Sequence, residues 1–149
     1  MNQKKKNWFA GRGFQIDSII ALSPGEAYSL LKQDAVLVDL RREYETSYRL
    51  FDVPSIIYMT EHEISNDPSL LPGTRPLILA DNVGMLSRKI AMKLFSEGYD
   101  NIAIISGGII AWVKDGLPVK KDANYELRGQ CSCKLQPVNP KTPGILKKD

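Results

Sequence analysis

What most constrains the fold of this chain is a set of short, unbroken apolar runs, each closed by a polar residue. Ala35-Val36-Leu37-Val38 ends at Asp39, Leu77-Ile78-Leu79-Ala80 ends at Asp81, and Ile102-Ala103-Ile104-Ile105 ends at Ser106. A strand with one wet face alternates apolar and polar residues, so a run without alternation is the pattern of a strand covered on both sides. Ile19 to Leu22 and Ile56 to Met59 read as further short strands. Helical patterns lie between these runs. Ser23-Pro24-Gly25-Glu26 supplies an N-cap, a proline at the first helical position and a Glu placed to close a capping box. Ala27, Leu30 and Leu31 then share one helical face. Ile90, Ala91, Leu94 and Phe95 repeat the spacing, with Gly98 where a C-terminal cap belongs, and Ile109 to Lys114 forms a short helix stopped by Gly116 and Pro118. Alternating strands and helices predict an α/β fold with a mainly parallel central sheet and helices on both faces. Ligands of such sheets gather at the carboxyl ends of the strands. Asp39-Leu40-Arg41 and the loop from Asp81 to Leu86 both occupy such ends.

Composition removes several function classes. With 43% hydrophobic and 25% charged residues the chain can bury a core, and its two cysteines close at most one bridge, so neither a disordered protein nor a disulfide scaffold is expected. The longest nearly apolar stretch, Ala103 to Val113, contains Ser106, Gly107 and Gly108 and falls far short of the roughly 20 residues a membrane helix needs. No membrane partner is expected. Lys4, Lys5 and Lys6 are followed by Arg12 and Asp17 rather than an apolar segment, which argues against a signal peptide and for a cytoplasmic location with reduced thiols. The net charge of +3 is unevenly spread: residues 1–13 and residues 120–149 each carry +4, and residues 14–119 carry −5. An acidic core is not built to attract nucleic acid. The chain divides accordingly into a basic N-terminal arm, 1–13, a domain, 14–119, and a proline- and lysine-bearing C-terminal tail, 120–149, that holds Cys131-Ser132-Cys133.

Four stretches carry a resemblance. They are Leu22-Ser23-Pro24-Gly25-Glu26-Ala27, the strand end Val38-Asp39-Leu40-Arg41, the pair Gly84 and Ser87 at a loop–helix junction, and Ser106-Gly107-Gly108-Ile109-Ile110-Ala111-Trp112 with Gly116-Leu117-Pro118-Val119. In this order and spacing the chain resembles the rhodanese-like domains, which are sulfurtransferases and their inactive relatives, from about Ile19 to Val119. The resemblance implies a three-layer sandwich around the parallel sheet. It also implies a site. In active members the loop after the central strand runs Cys-Arg-x-Gly-x-Arg, its N–H groups cradle an anion at a helix N-terminus, and the cysteine accepts sulfur as a persulfide. Here the loop reads Asp81-Asn82-Val83-Gly84-Met85-Leu86, with Asp81 at the nucleophile position and Leu86 at the second basic position. A carboxylate forms no persulfide, so conventional thiosulfate sulfurtransferase activity is not expected. Asp81 is expected instead to accept the loop N–H bonds that a thiolate would have received. Arg88, two residues beyond Leu86, is the nearby cation that would have to offset an anion. Asp39 and Arg41 match the family's Asp-x-Arg, an internal ion pair as the resemblance implies. Phe51-Asp52-Val53-Pro54 replaces a more usual Gly-His-Ile-Pro, and His62, between Glu61 and Glu63, reads as a bystander.

Both thiols fall outside the resemblance. Two sulfurs supply half of a structural zinc site, so no metal and no cofactor are expected. Cys131 lies twelve residues beyond Val119, a span of at most about 40 Å when extended, so the tail can reach across a domain. The function expected from sequence is a binding or regulatory module related to sulfur metabolism, acting on a protein, a small anion or a sulfur compound. The alternative is a sulfur carrier, sulfurtransferase or redox protein that uses Cys131 or Cys133.

Overall fold

The computed structural model describes residues 8–42 and 49–121; Lys4 to Lys6 of the basic arm and the tail thiols Cys131 and Cys133 lie outside the described residues. Its elements in chain order are β1 (Phe14–Ile16), β2 (Ile19–Leu22), α1 (Pro24–Leu31), β3 (Val36–Asp39), β4 (Leu50–Phe51), β5 (Ile56–Tyr58), α2 (Glu61–Asn66), a 3-10 turn (Pro68–Leu70), β6 (Leu77–Ala80), α3 (Met85–Ser96), β7 (Ile102–Ile105), α4 (Gly108–Lys114) and β8 (Val119–Lys120). They form two compact units. The larger comprises the described residues up to Arg41 and those from Asp52 to Pro118; the smaller pairs β4 with β8, antiparallel, Leu50 opposite Lys120 and Phe51 opposite Val119.

The larger unit is built on a six-stranded sheet in the order β1-β2-β7-β6-β3-β5, parallel throughout except for β1. The unbroken apolar runs are its inner strands, and every residue of β3, β6 and β7 is buried. Alternate residues Ile19, Ala21, Val38, Leu79, Ile102 and Ile104 pack with Ile90, Ala91 and Leu94 of α3 and with Ile64 of α2. Leu22, Leu37, Ile78, Ala103 and Ile105, one residue out of phase, are equally buried and point to the opposite face. On that face α1 meets α4, with the ring of Tyr28 edge-on to Trp112 at 5.6 Å. This is a three-layer α/β sandwich, as the sequence predicts.

Local chemistry explains where the elements begin. Ser23 Oγ accepts the Glu26 N–H while Glu26 Oε1 accepts the Ser23 N–H, so the predicted capping box closes and α1 starts at Pro24. An unpredicted second box, Thr60 with Glu63, starts α2. Several boundaries shift by one residue from the sequence expectation: β5 ends at Tyr58 rather than Met59, and α4 begins at Gly108 rather than Ile109. The Ala35 N–H turns back to the Leu30 carbonyl to finish α1, so β3 begins at Val36, and Asp39, in register with Ala80, belongs to it. Phe95 shares the spacing of Ile90 and Leu94, yet its side chain is half-exposed because it lies at the margin of the face α3 buries. β1 joins β2 through the two-residue turn Asp17-Ser18, both at positive φ, which is the mirror-image hairpin turn usually made by Asn-Gly.

Candidate functional site

Asp81 leaves the carboxyl end of β6, between β7 and β3, and the chain crosses to α3 through Asn82, Val83 and Gly84. Gly84 sits at φ 97 as the helix N-cap and has no side chain with which to cap. Asp81 performs that task from three residues upstream. Its Oδ1 accepts the Gly84 N–H at 2.7 Å and the Ser87 hydroxyl at 2.8 Å, and its Oδ2 accepts the Leu86 N–H at 2.9 Å. The carboxylate is buried, and Ser87 is fully so. A negative charge at a helix N-terminus is also favoured by the helix dipole.

The other side of the loop is equally engaged. The Asp81 carbonyl accepts the Ile109 N–H at 2.9 Å and the Asn82 carbonyl accepts the Ile110 N–H at 3.2 Å, so the loop caps the first turn of α4. This approach needs Gly108, at φ 63: a Cβ there would stand 2.4 Å from both the Asp81 and the Asn82 carbonyl oxygens. The Gly84 and Leu86 N–H groups thus turn inward to a carboxylate, and the Asp81 and Asn82 carbonyls turn to α4.

What faces outward is apolar. Val83, Met85 and Ile110 are exposed around the loop. Leu86 is half-buried and packs against the α3-side core. Arg88 is ion-paired with Asp17 at the β1–β2 turn, so the cation that sequence offered as a substitute is held elsewhere. Lys89 pairs with Glu61 at 2.7 Å. Asp39 and Arg41 form the internal pair that the resemblance implies: Asp39 Oδ2 accepts from Arg41 Nη2 at 2.9 Å, Oδ1 accepts from Arg41 Nε and N at 3.1 Å, and both residues are buried. The pair adjoins the strand of Asp81, since the Leu40 N–H donates to the Ala80 carbonyl at 2.8 Å. His62 lies exposed on α2, within 3.1 Å of Asn66 Nδ2. Among the described residues no three His, Cys, Asp or Glu side chains gather in a way that could hold a metal ion, and no helix is long and apolar enough to cross a membrane.

The role of Ser87 was not legible in advance. A small polar residue on the buried face shared with Ile90, Ala91 and Leu94 is the signal that marks it.

An open, mainly parallel sheet with an anion-capped loop at the end of its central strand defines the class. Comparison with known proteins then gives the family. The model of the rhodanese-like domain matches residues 23–115, and the chain belongs to that family. A thiosulfate sulfurtransferase GlpE of Haemophilus influenzae is 26% identical over 98 residues, covering 66% of this chain and 91% of the relative. A sulfurtransferase of Allochromatium vinosum is 30% identical over 87 residues, covering 58% of this chain and 79% of the relative. Among solved structures, the polysulfide-sulfur transferase homodimer of Wolinella succinogenes matches with a TM-score of 0.61 at 24% identity, over 70% of this chain and 80% of that one. A rhodanese-related protein of Thermoplasma volcanium matches with a TM-score of 0.59 at 20% identity, over 67% and 96%. These structural likenesses concern the fold. The family and the curated relatives connect the chain to sulfur metabolism.

Proposed function

We propose that this rhodanese-like domain is a cytoplasmic binding or regulatory module whose loop, Asp81 to Leu86, does not catalyse sulfur transfer. The observation that carries the reading is the Asp81 carboxylate, which accepts the Gly84 N–H, the Leu86 N–H and the Ser87 hydroxyl. Sulfur transfer at this loop would require a thiolate to attack a sulfane sulfur and keep it as a persulfide, and oxygen does neither. The cradle that would hold an anionic donor is already filled by the chain's own anion. The Asp81 and Asn82 carbonyls are bonded to α4, and the exposed surface of the loop is apolar rather than cationic, which suits a protein partner better than thiosulfate.

The likeness to curated thiosulfate sulfurtransferases favours a second reading, in which Cys131 or Cys133 accepts the sulfur. Thiocyanate formation from thiosulfate and cyanide separates the two. The first reading expects background rates. Turnover abolished by Cys131→Ser with Cys133→Ser moves the function to the tail. Turnover that survives both substitutions overturns both readings.

A further inference from the structure

The outward face of α3 is unusual for a charged, 12-residue amphipathic helix. Its buried face is Ser87, Ile90, Ala91 and Leu94, while Met85, Met92 and Phe95 stand on the solvent side at 77%, 43% and 48% exposure. Phe14, 52% exposed, lies on the same side of the sheet, since strand alternation groups it with Ile16, which packs into the α3-side core. β1 is the outermost strand, so this apolar surface borders an edge of the sheet. Of the three cations of α3, Arg88, Lys89 and Lys93, the first two are paired. Arg88 is neutralised by Asp17 of the β1–β2 turn and Lys89 by Glu61 of α2.

We propose that this face is the two-fold interface of a dimer, its occupant a second copy of this chain. Area selects that occupant. The four side chains expose on the order of 400 Å² of apolar surface, within the range of about 300–600 Å² for the largest patch on a typical monomer, which is often functional. A standard interface takes about 800 Å² from each partner and is roughly 60% apolar, so the patch supplies nearly the whole apolar share of one side. The two flanking ion pairs each cancel their own charge, so they offer little net sign to a partner chosen by its charge. Two α3 helices laid antiparallel across a two-fold axis put Met85 of one copy against Phe95 of the other, keep Met92 within a turn of the axis, and oppose the helix dipoles favourably.

Sedimentation velocity on the full chain, combined with hydrogen peroxide footprinting of methionines, tests the proposal. At about 100 µM, well above the Kd that interfaces of this size commonly reach, the expected mass is twice 16.7 kDa. Oxidation of Met85 and Met92 should slow about tenfold between dilute and concentrated protein, with the buried Met59 as an unreactive reference. Met92→Glu, and independently Phe95→Glu, should restore the monomer with the far-UV circular dichroism unchanged. A monomer whose Met92 oxidises freely at every concentration overturns the proposal and leaves the face to a different partner. A monomer whose Met92 is protected at every concentration also overturns it, because the chain then covers its own face. A dimer that survives both substitutions places the interface elsewhere and equally refutes it.

Discussion

Replacing Asp81 is the perturbation that discriminates most sharply, because its carboxylate makes three bonds of different kinds. Ser87 is fully buried, so Asp81→Ala leaves its hydroxyl without this acceptor in a place water does not reach, a loss of about 1–3 kcal/mol. The Gly84 and Leu86 N–H groups are partly buried and rehydrate, which limits each to roughly 0.5–1 kcal/mol. The helix N-terminus also loses an anion, worth about 0.3–1 kcal/mol. Asp81→Ala should therefore destabilise by about 2–6 kcal/mol at neutral pH. Asp81→Asn is the finer probe. Its Oδ1 keeps the Gly84 and Ser87 donors, but its amide then points an N–H at the Leu86 N–H, so the cost should fall to about 1–2 kcal/mol. Urea unfolding followed by circular dichroism measures both, with an unchanged denaturant slope as the check that only stability has moved. Asp81→Ala within about 0.5 kcal/mol of the parent, or Asn as costly as Ala, would refute the assignment of these bonds.

Three other outcomes follow from named contacts. Asp39→Ala removes the carboxylate that Arg41 holds in a buried site and should cost about 3–5 kcal/mol by urea unfolding, with Arg41→Met in the same chain recovering part of it. Gly108→Ala drives a Cβ into the Asp81 and Asn82 carbonyls at positive φ, so it should destabilise by about 2–4 kcal/mol and shift the Gly84 and Leu86 amide resonances; silent amides would contradict the loop-to-α4 contact. The Glu26 carboxyl is held below the usual Glu range, first by the Ser23 N–H and then by the Gly13 N–H. Its stabilisation should be fully present above about pH 4.3 and lost as pH falls through the lower folded value, and Glu26→Gln should remove that part of the acid dependence.

The inner strands were legible because burial on both faces erases alternation, and the start of α1 because Ser23, Pro24 and Glu26 state their bonding in residue types. β1 was not. Its three residues carry little pattern, and its hairpin turn uses Asp17 and Ser18 where a glycine would have announced positive φ. The position of Asp81 could be read from the strand it ends, but not which amides it binds, because that depends on α4 pressing Gly108 against the loop from elsewhere in the chain. Arg88 shows the same limit. Sequence placed it near the loop, and only the fold brings Asp17 to it.

The central claim is that two replacements, Asp81 at the nucleophile position and Leu86 at the second basic position, leave this loop without sulfurtransferase activity, and restoring the chemistry tests it most directly. In a chain carrying Cys131→Ser and Cys133→Ser, thiocyanate formation from thiosulfate and cyanide is measured with Asp81 intact, with Asp81→Cys, and with Asp81→Cys plus Leu86→Arg. The account predicts background with Asp81, a small rate with the thiol alone, and a clearly higher rate once Leu86→Arg supplies the charge that offsets the anion, despite the core contact that Leu86 gives up. Turnover with Asp81 in place, or equal rates for the single and double variants, would contradict it.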